Sequence, residues 1–127
     1  MRFLLDTNVL QNIHLRPALL GKRTVQKLQS AKALYFSPLT IFEWLQKDDY
    51  LGSSTKKLAA ATKEIGAIEL PLTANAALEA IRFGSLRGSD PFDFLMLSQA
   101  AEAGLDFLTP DSRLLDLGLD FVLDAAN

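Results

Sequence analysis

SDPFDFLMLSQAAEAGLDFLTPD, residues 89–111, holds a helix, its stop signal, a strand and an acid in one run. Asp90 suits a helix N-cap and Pro91 the first helical position, where the missing N–H is not needed. Helix formers continue to Gly104, a residue that closes helices in the left-handed conformation. The apolar stretch Asp106–Leu108 follows at once and reads as a buried strand, with Asp111 just beyond it. A helix running into a short, unalternating strand is half of a parallel α/β unit.

The same pattern recurs outward. Arg2–Leu5, Ala33–Phe36, Ala67–Leu70 and Phe121–Leu123 are further short apolar runs that read as strands. Helical stretches separate them at Thr24–Ser30, Pro38–Lys47, Thr55–Ile65 and Ala74–Leu86, and Ser112–Leu117 suits a short helix. Strands alternating with helices imply crossover connections and a parallel sheet covered on both sides. The expected architecture is a three-layer α/β/α domain with a central, mainly parallel sheet of about five strands. Residues 1–127 are expected to form a single domain.

Composition narrows the chemistry. With 49% apolar residues the chain has material for a real core, which excludes general disorder. The formal charge of −2 advertises no broad basic field for nucleic acid, so positive charge at such a site would come from a metal or local arginines. The absence of cysteine excludes disulfides and thiolate metal sites, and a lone histidine, His14, excludes a His-rich zinc site. No leader segment and no apolar run of membrane-spanning length is visible, so a soluble cytoplasmic protein is expected.

The acids fall in a pattern. Asp6 ends the first strand in FLLDTNVL, residues 3–10, and Asp111 follows the fourth. Ligands in open parallel sheets bind beyond the carboxyl ends of strands, where strand order reverses. Asp90 and Asp93, three apart, share one face of a helix start. Glu43 interrupts the apolar LTIFEWL, which argues for partial burial. Carboxylates gathered in one cleft repel, and one or more must hold a proton unless a cation joins them. Mg²⁺ or Mn²⁺ suits such oxygen ligands and supports phosphodiester hydrolysis. Duller roles stay open for each: Asp6, Asp90 and Asp111 as turn or cap residues, Asp93 as a first-turn charge, Glu43 as an exposed helix position. Arg82, Arg87 and Arg113 lie near the acids in sequence and read as a solvated face or as weak phosphate contacts. His14 reads as a surface residue and Trp44 as core. The segment Leu10–Leu20 is either core packing or apolar surface for a partner helix.

These residues resemble the PIN-domain ribonucleases, and within them the VapC-type toxins of bacterial and archaeal toxin–antitoxin pairs. LLDTNVL (4–10) is similar to the family's opening strand and first acid, Asp6. SPLTIFEWLQK (37–47) is similar to the second motif, with Glu43. GSDPFDFLMLSQAAEAGLDFLTPD (88–111) is similar to the third and fourth motifs run together. The resemblance implies that Asp6, Glu43, Asp93 and Asp111 are the catalytic, metal-centred acids, with Asp90 as a possible fifth, and that Asn8 and Thr109 support them through hydrogen bonds. It implies Mg²⁺ or Mn²⁺ as cofactor, RNA as substrate, a cognate antitoxin that obstructs the cleft, and a homodimer. The chain departs from its relatives in the loop LRGSD, in Phe94 after Asp93 and in Pro110 before Asp111, all of which thin the local positive charge. The alternative is a catalytically weak PIN-like module that binds RNA or a partner. A phospho-accepting receiver or phosphatase domain fits poorly, because DTN supplies neither a pair of acids nor D-x-D after the first strand.

Overall fold

A computed structural model describes residues 1–48 and 53–127. Within them the chain runs β1 (Arg2–Leu5), α1 (Thr7–Leu15), α2 (Lys22–Ser30), β2 (Ala33–Phe36), α3 (Pro38–Asp48), α4 (Ser53–Glu64), β3 (Ile68–Glu69), α5 (Ala74–Leu78), α6 (Pro91–Ala103), β4 (Asp106–Thr109), α7 (Ser112–Leu115) and β5 (Val122–Asp124). Short 3-10 segments follow α1 and α5, at Pro17–Leu19 and Glu79–Leu86.

The five strands form one sheet in the order β3-β2-β1-β4-β5, and every pairing is parallel. Chain order therefore moves outward from β1 through β2 to β3, then returns to β4 on the other side of β1. The reversal lies between β1 and β4, and their carboxyl ends diverge into the crevice where doubly wound sheets bind ligands.

The inner strands feed both faces, as the two-residue period requires. Leu4 and Phe107 point into a cluster with Met96, Leu97 and Ala100 of α6 and Leu114 of α7. Phe3, Leu5 and Leu108 point the other way, onto Val9 and Leu10 of α1, with Leu28 of α2 packed alongside. Helices thus cover both faces, as expected of a three-layer α/β/α fold.

The differences from the sequence reading are local. The stretch 74–86 is not one helix: α5 stops at Leu78, and the chain tightens into a 3-10 segment broken at Phe83 (φ −114°, ψ 41°). Phe83 is buried there and meets Phe121 with ring centroids 6.3 Å apart. Tertiary packing outweighs helix propensity at this point. The third strand shortens to Ile68–Glu69, both exposed at the sheet edge. Helix α1 follows β1 directly, with Asp6 as its N-cap, whose side chain accepts from the Thr7 N–H. Helix α6 has the expected ends, with Asp90 as N-cap and Gly104 at φ 68° as its stop.

Candidate active site

The topology delivers the acids before any side chain is considered. Asp6 leaves β1 and caps α1; its backbone N–H donates to Leu108 of β4 at 3.0 Å, which fixes it at the mouth of the β1–β4 crevice. Asp111 leaves β4 and caps α7. Asp90 caps α6, accepting from the Phe92 N–H at 2.9 Å, and Asp93 occupies that helix's first turn. Glu43 enters from α3. The residue before α3 is tied to α6: Ser37 Oγ donates to Gln99 Oε1 at 2.7 Å, and Gln99 Nε2 donates to the Leu70 carbonyl at 3.1 Å.

Asp6, Glu43, Asp90, Asp93 and Asp111 all line one cleft of about 210 Å³, together with Thr7, Asn8, Gln11 and Arg113. Asp6 and Glu43 form its floor, 2% and 4% exposed. The Asp6 carboxylate accepts from Thr7 N–H at 2.7 Å and from Thr109 Oγ1 at 2.6 Å. Thr7 Oγ1 donates to Glu43 Oε1 at 2.6 Å and lies 3.1 Å from Thr40 Oγ1. At the rim Arg113 Nη2 donates to Asp93 Oδ2 at 3.1 Å and to Asp111 Oδ2 at 2.9 Å.

The electrostatics follow from this layout. Burial pushes the Asp6 carboxyl up to about 6; the hydrogen bonds from Thr109 and Thr7 oppose that rise, and the nearby Glu43 and Asp111 add to it. Burial, then the charges of Asp6, Asp90, Asp111 and Glu43, push Asp93 to about 7. Asp111 is held below the usual carboxylate range, chiefly by its hydrogen bond with Arg113. A cation placed among them would favour the ionised carboxylates and displace those protons, so its binding competes with protonation.

The donor set is all hard oxygen, which suits Mg²⁺ or Mn²⁺. Among the described residues no group of three or more acids or histidines is placed to hold a metal ion by itself. Mg²⁺ does not require one, since it keeps most of its waters and takes one or two protein carboxylates. The residues therefore fit such an ion.

Of the other residues singled out in the sequence, Thr109 bonds to Asp6 and Asn8 lines the cleft. The arginines separate. Arg113 lines the cleft, whereas Arg87 does not. Arg82 lies beside Gly104, Asp106 and Phe121 at the opposite end of β4, paired to Glu79 at 2.6 Å. Position in the chain placed Arg82 near the acids; the fold does not. Sequence reasoning missed Thr7, Gln11 and Thr40. Helical spacing held the signal: Thr7 and Gln11 are one turn apart on α1, and Thr40 and Glu43 are three apart on α3. His14 is half-buried, with Nε2 3.2 Å from Thr62 Oγ1, and Trp44 is core.

A doubly wound parallel sheet with an acid-lined crevice at its switch point defines the class. Residues 3–119 match the PIN domain, and the chain belongs to that family, whose members are nucleases in general. Three solved structures share the fold. DNA-bound VapBC from Salmonella typhimurium matches with a TM-score of 0.67 and 20% identity, over 91% of each chain. VapBC2 from Rickettsia felis, bound to a DNA fragment from its promoter, gives 0.66 and 12%, over 98% of this chain and 97% of that one. VapBC-1 from nontypeable Haemophilus influenzae gives 0.66 and 14%, over 91% of each. No curated protein matches the chain. Among the described residues no helix is long and apolar enough to cross a membrane.

Proposed function

We propose that this chain is the toxin nuclease of a VapBC-type toxin–antitoxin pair, and that it hydrolyses RNA phosphodiester bonds at the acidic cleft with Mg²⁺ or Mn²⁺. The observation that carries the reading is the convergence of Asp6, Glu43, Asp90, Asp93 and Asp111 from separate elements onto one switch-point cleft. Asp6 and Asp93, whose carboxyls are the most strongly raised, would hold the ion, with Glu43 and Asp111, and Asp90 beside them, reaching it directly or through water. When bound, the ion supplies water of lowered pKa and neutralises charge gathering on the phosphate. Thr109 and Thr7 hold Asp6 and Glu43 through hydrogen bonds, and Asn8 lines the cleft with them. Hydrolysis that expels the 3′ oxygen leaves 5′-phosphate and 3′-hydroxyl ends.

The whole chain acts as one domain in this reading, as a cytoplasmic homodimer with a cognate antitoxin. The structural neighbours are VapBC complexes, and this chain exposes Leu15 and Leu19 beside an apolar groove lined by Ile13, Pro17, Leu20 and Leu28. The test is cleavage of single-stranded RNA with Mn²⁺. Activity that EDTA removes and that Asp6→Asn and Asp93→Asn abolish is expected; wild-type activity in both variants rejects the reading.

A second reading, a PIN-like module with weak catalysis, draws on Arg113, whose guanidinium already neutralises Asp93 and Asp111. Calorimetric titration with Mn²⁺ separates the two, since a binding module takes up none at millimolar metal.

A further inference from the structure

Among the described residues lining the acidic cleft, Arg113 carries the positive charge. Its guanidinium is spread across two acids. Nη2 donates to Asp93 Oδ2 at 3.1 Å and to Asp111 Oδ2 at 2.9 Å, and Nε donates to Asp111 Oδ1 at 3.3 Å. We propose that Arg113 is a displaceable resident counter-ion: it closes the Asp93–Asp111 pair in the metal-free protein, and a divalent cation must expel it to reach those acids. The proposal rests on the metal reading above and adds an internal competitor to it.

The local structure makes the latch easy to open. Arg113 stands two residues after Asp111, the N-cap of α7, so the turn itself delivers the fork to the acid. Its backbone N–H separately donates to Asp111 Oδ1 at 2.9 Å. The cap therefore survives when the side chain leaves, and no backbone hydrogen bond is lost. The Arg113 side chain is 60% exposed, against 16% for Asp93 and 18% for Asp111, so water replaces the acids as partners of the guanidinium. Solvent-exposed ion pairs are weak and screened by salt. A compact divalent ion brings twice the charge to the same oxygens. Without any cation the acids would be left to repel, and Asp93 already faces Asp6, Asp90, Asp111 and Glu43. The latch thus lowers the repulsion of the empty cleft and sets a threshold for metal entry.

Mn²⁺ alone, titrated calorimetrically into the full chain, tests this. Arg113→Ala is expected to bind Mn²⁺ roughly two- to fivefold tighter than the wild type, the scale of exposed ion pairs. Arg23→Ala on α2, which matches the change in net charge away from the cleft, is expected to leave the affinity unchanged. Arg113→Lys keeps the charge but not the fork, so it should bind tighter than the wild type; equality with the wild type would mean that charge alone acts, and would reject the latch. Equal affinity of the wild type and Arg113→Ala also overturns it, while leaving the metal reading intact. No uptake by any of these proteins at millimolar Mn²⁺ sinks both. Independently, the Arg113 Nε–H signal in nitrogen-15 spectra should move to that of a solvated arginine when Mg²⁺ is added, and an unmoved signal refutes the displacement.

Discussion

The floor and the rim of the cleft solve one electrostatic problem in different ways. At the floor Asp6 is nearly dehydrated and held by uncharged donors, the Thr7 N–H and the Thr109 hydroxyl. At the rim Asp93 and Asp111 share a guanidinium on a long, exposed stem. Burial keeps Asp6 hard to ionise, and the neutral donors fix its geometry while offsetting that burial only in part. A mobile cation cancels charge without fixing geometry, so the rim can exchange partners. The floor is thus built for position and the rim for turnover of counter-ions.

Removing a carboxylate, at the floor or at the rim, should have the largest effect. Asp6→Asn and Asp93→Asn are each expected to lower metal-dependent RNA cleavage by on the order of 100-fold or more. Both should keep a cooperative thermal transition, since the acids cap and line rather than fill the core; loss of folding instead of loss of activity would place Asp6 among the structural residues. Thr109→Val removes the donor to Asp6 Oδ2 inside a fully buried site. It should weaken Mn²⁺ binding by roughly 10-fold or more, as loss of a supporting hydrogen bond does at metal sites. It should also destabilise the fold by about 1–3 kcal/mol. An unchanged Mn²⁺ affinity would show that Thr109 serves the fold alone.

The pH dependence sharpens the contrast. Asp6 titrates near 6 in the folded chain, above the 3.8 of an ordinary aspartate, so the folded state holds its proton more tightly than the unfolded state. Stability without metal must then fall as pH rises between about 4 and 7, and Asp6 alone accounts for roughly 2–3 kcal/mol of that fall. Asp93, raised to about 7, adds in the same direction. Asp111 runs the opposite way: its lowered value gives stability above the ordinary aspartate range that is lost as pH falls. Chemical denaturation at pH 5 and pH 8 with EDTA measures the sum, and saturating Mg²⁺ should flatten the slope. Metal-free protein that gains stability from pH 5 to pH 8 would contradict the raised values. The smallest effect belongs to the rim's arginine. Arg113→Ala should leave the thermal midpoint nearly unchanged, because an exposed pair contributes little.

The strongest local signals in the chain survive folding almost unaltered. Asp90, Pro91 and Gly104 bound α6, and Arg2–Leu5 and Ala33–Phe36 are strands to the residue. Caps, stops and apolar runs act over a few residues, so sequence alone expresses them. Weak local preference explains the misses. Helix formers at 79–86 yield to the burial of Phe83, and the two-residue β3 depends on pairing with Tyr35 and Phe36. For the site, the sequence determined which acids end strands and begin helices, because those positions are written in the chain. Only the tertiary structure decided that strand order reverses between β1 and β4, that Thr7 reaches Glu43 across 36 positions, and that Arg113 faces the acids while Arg82 sits at the other end of β4. Those are contacts between distant segments, and pairing and packing in three dimensions select them.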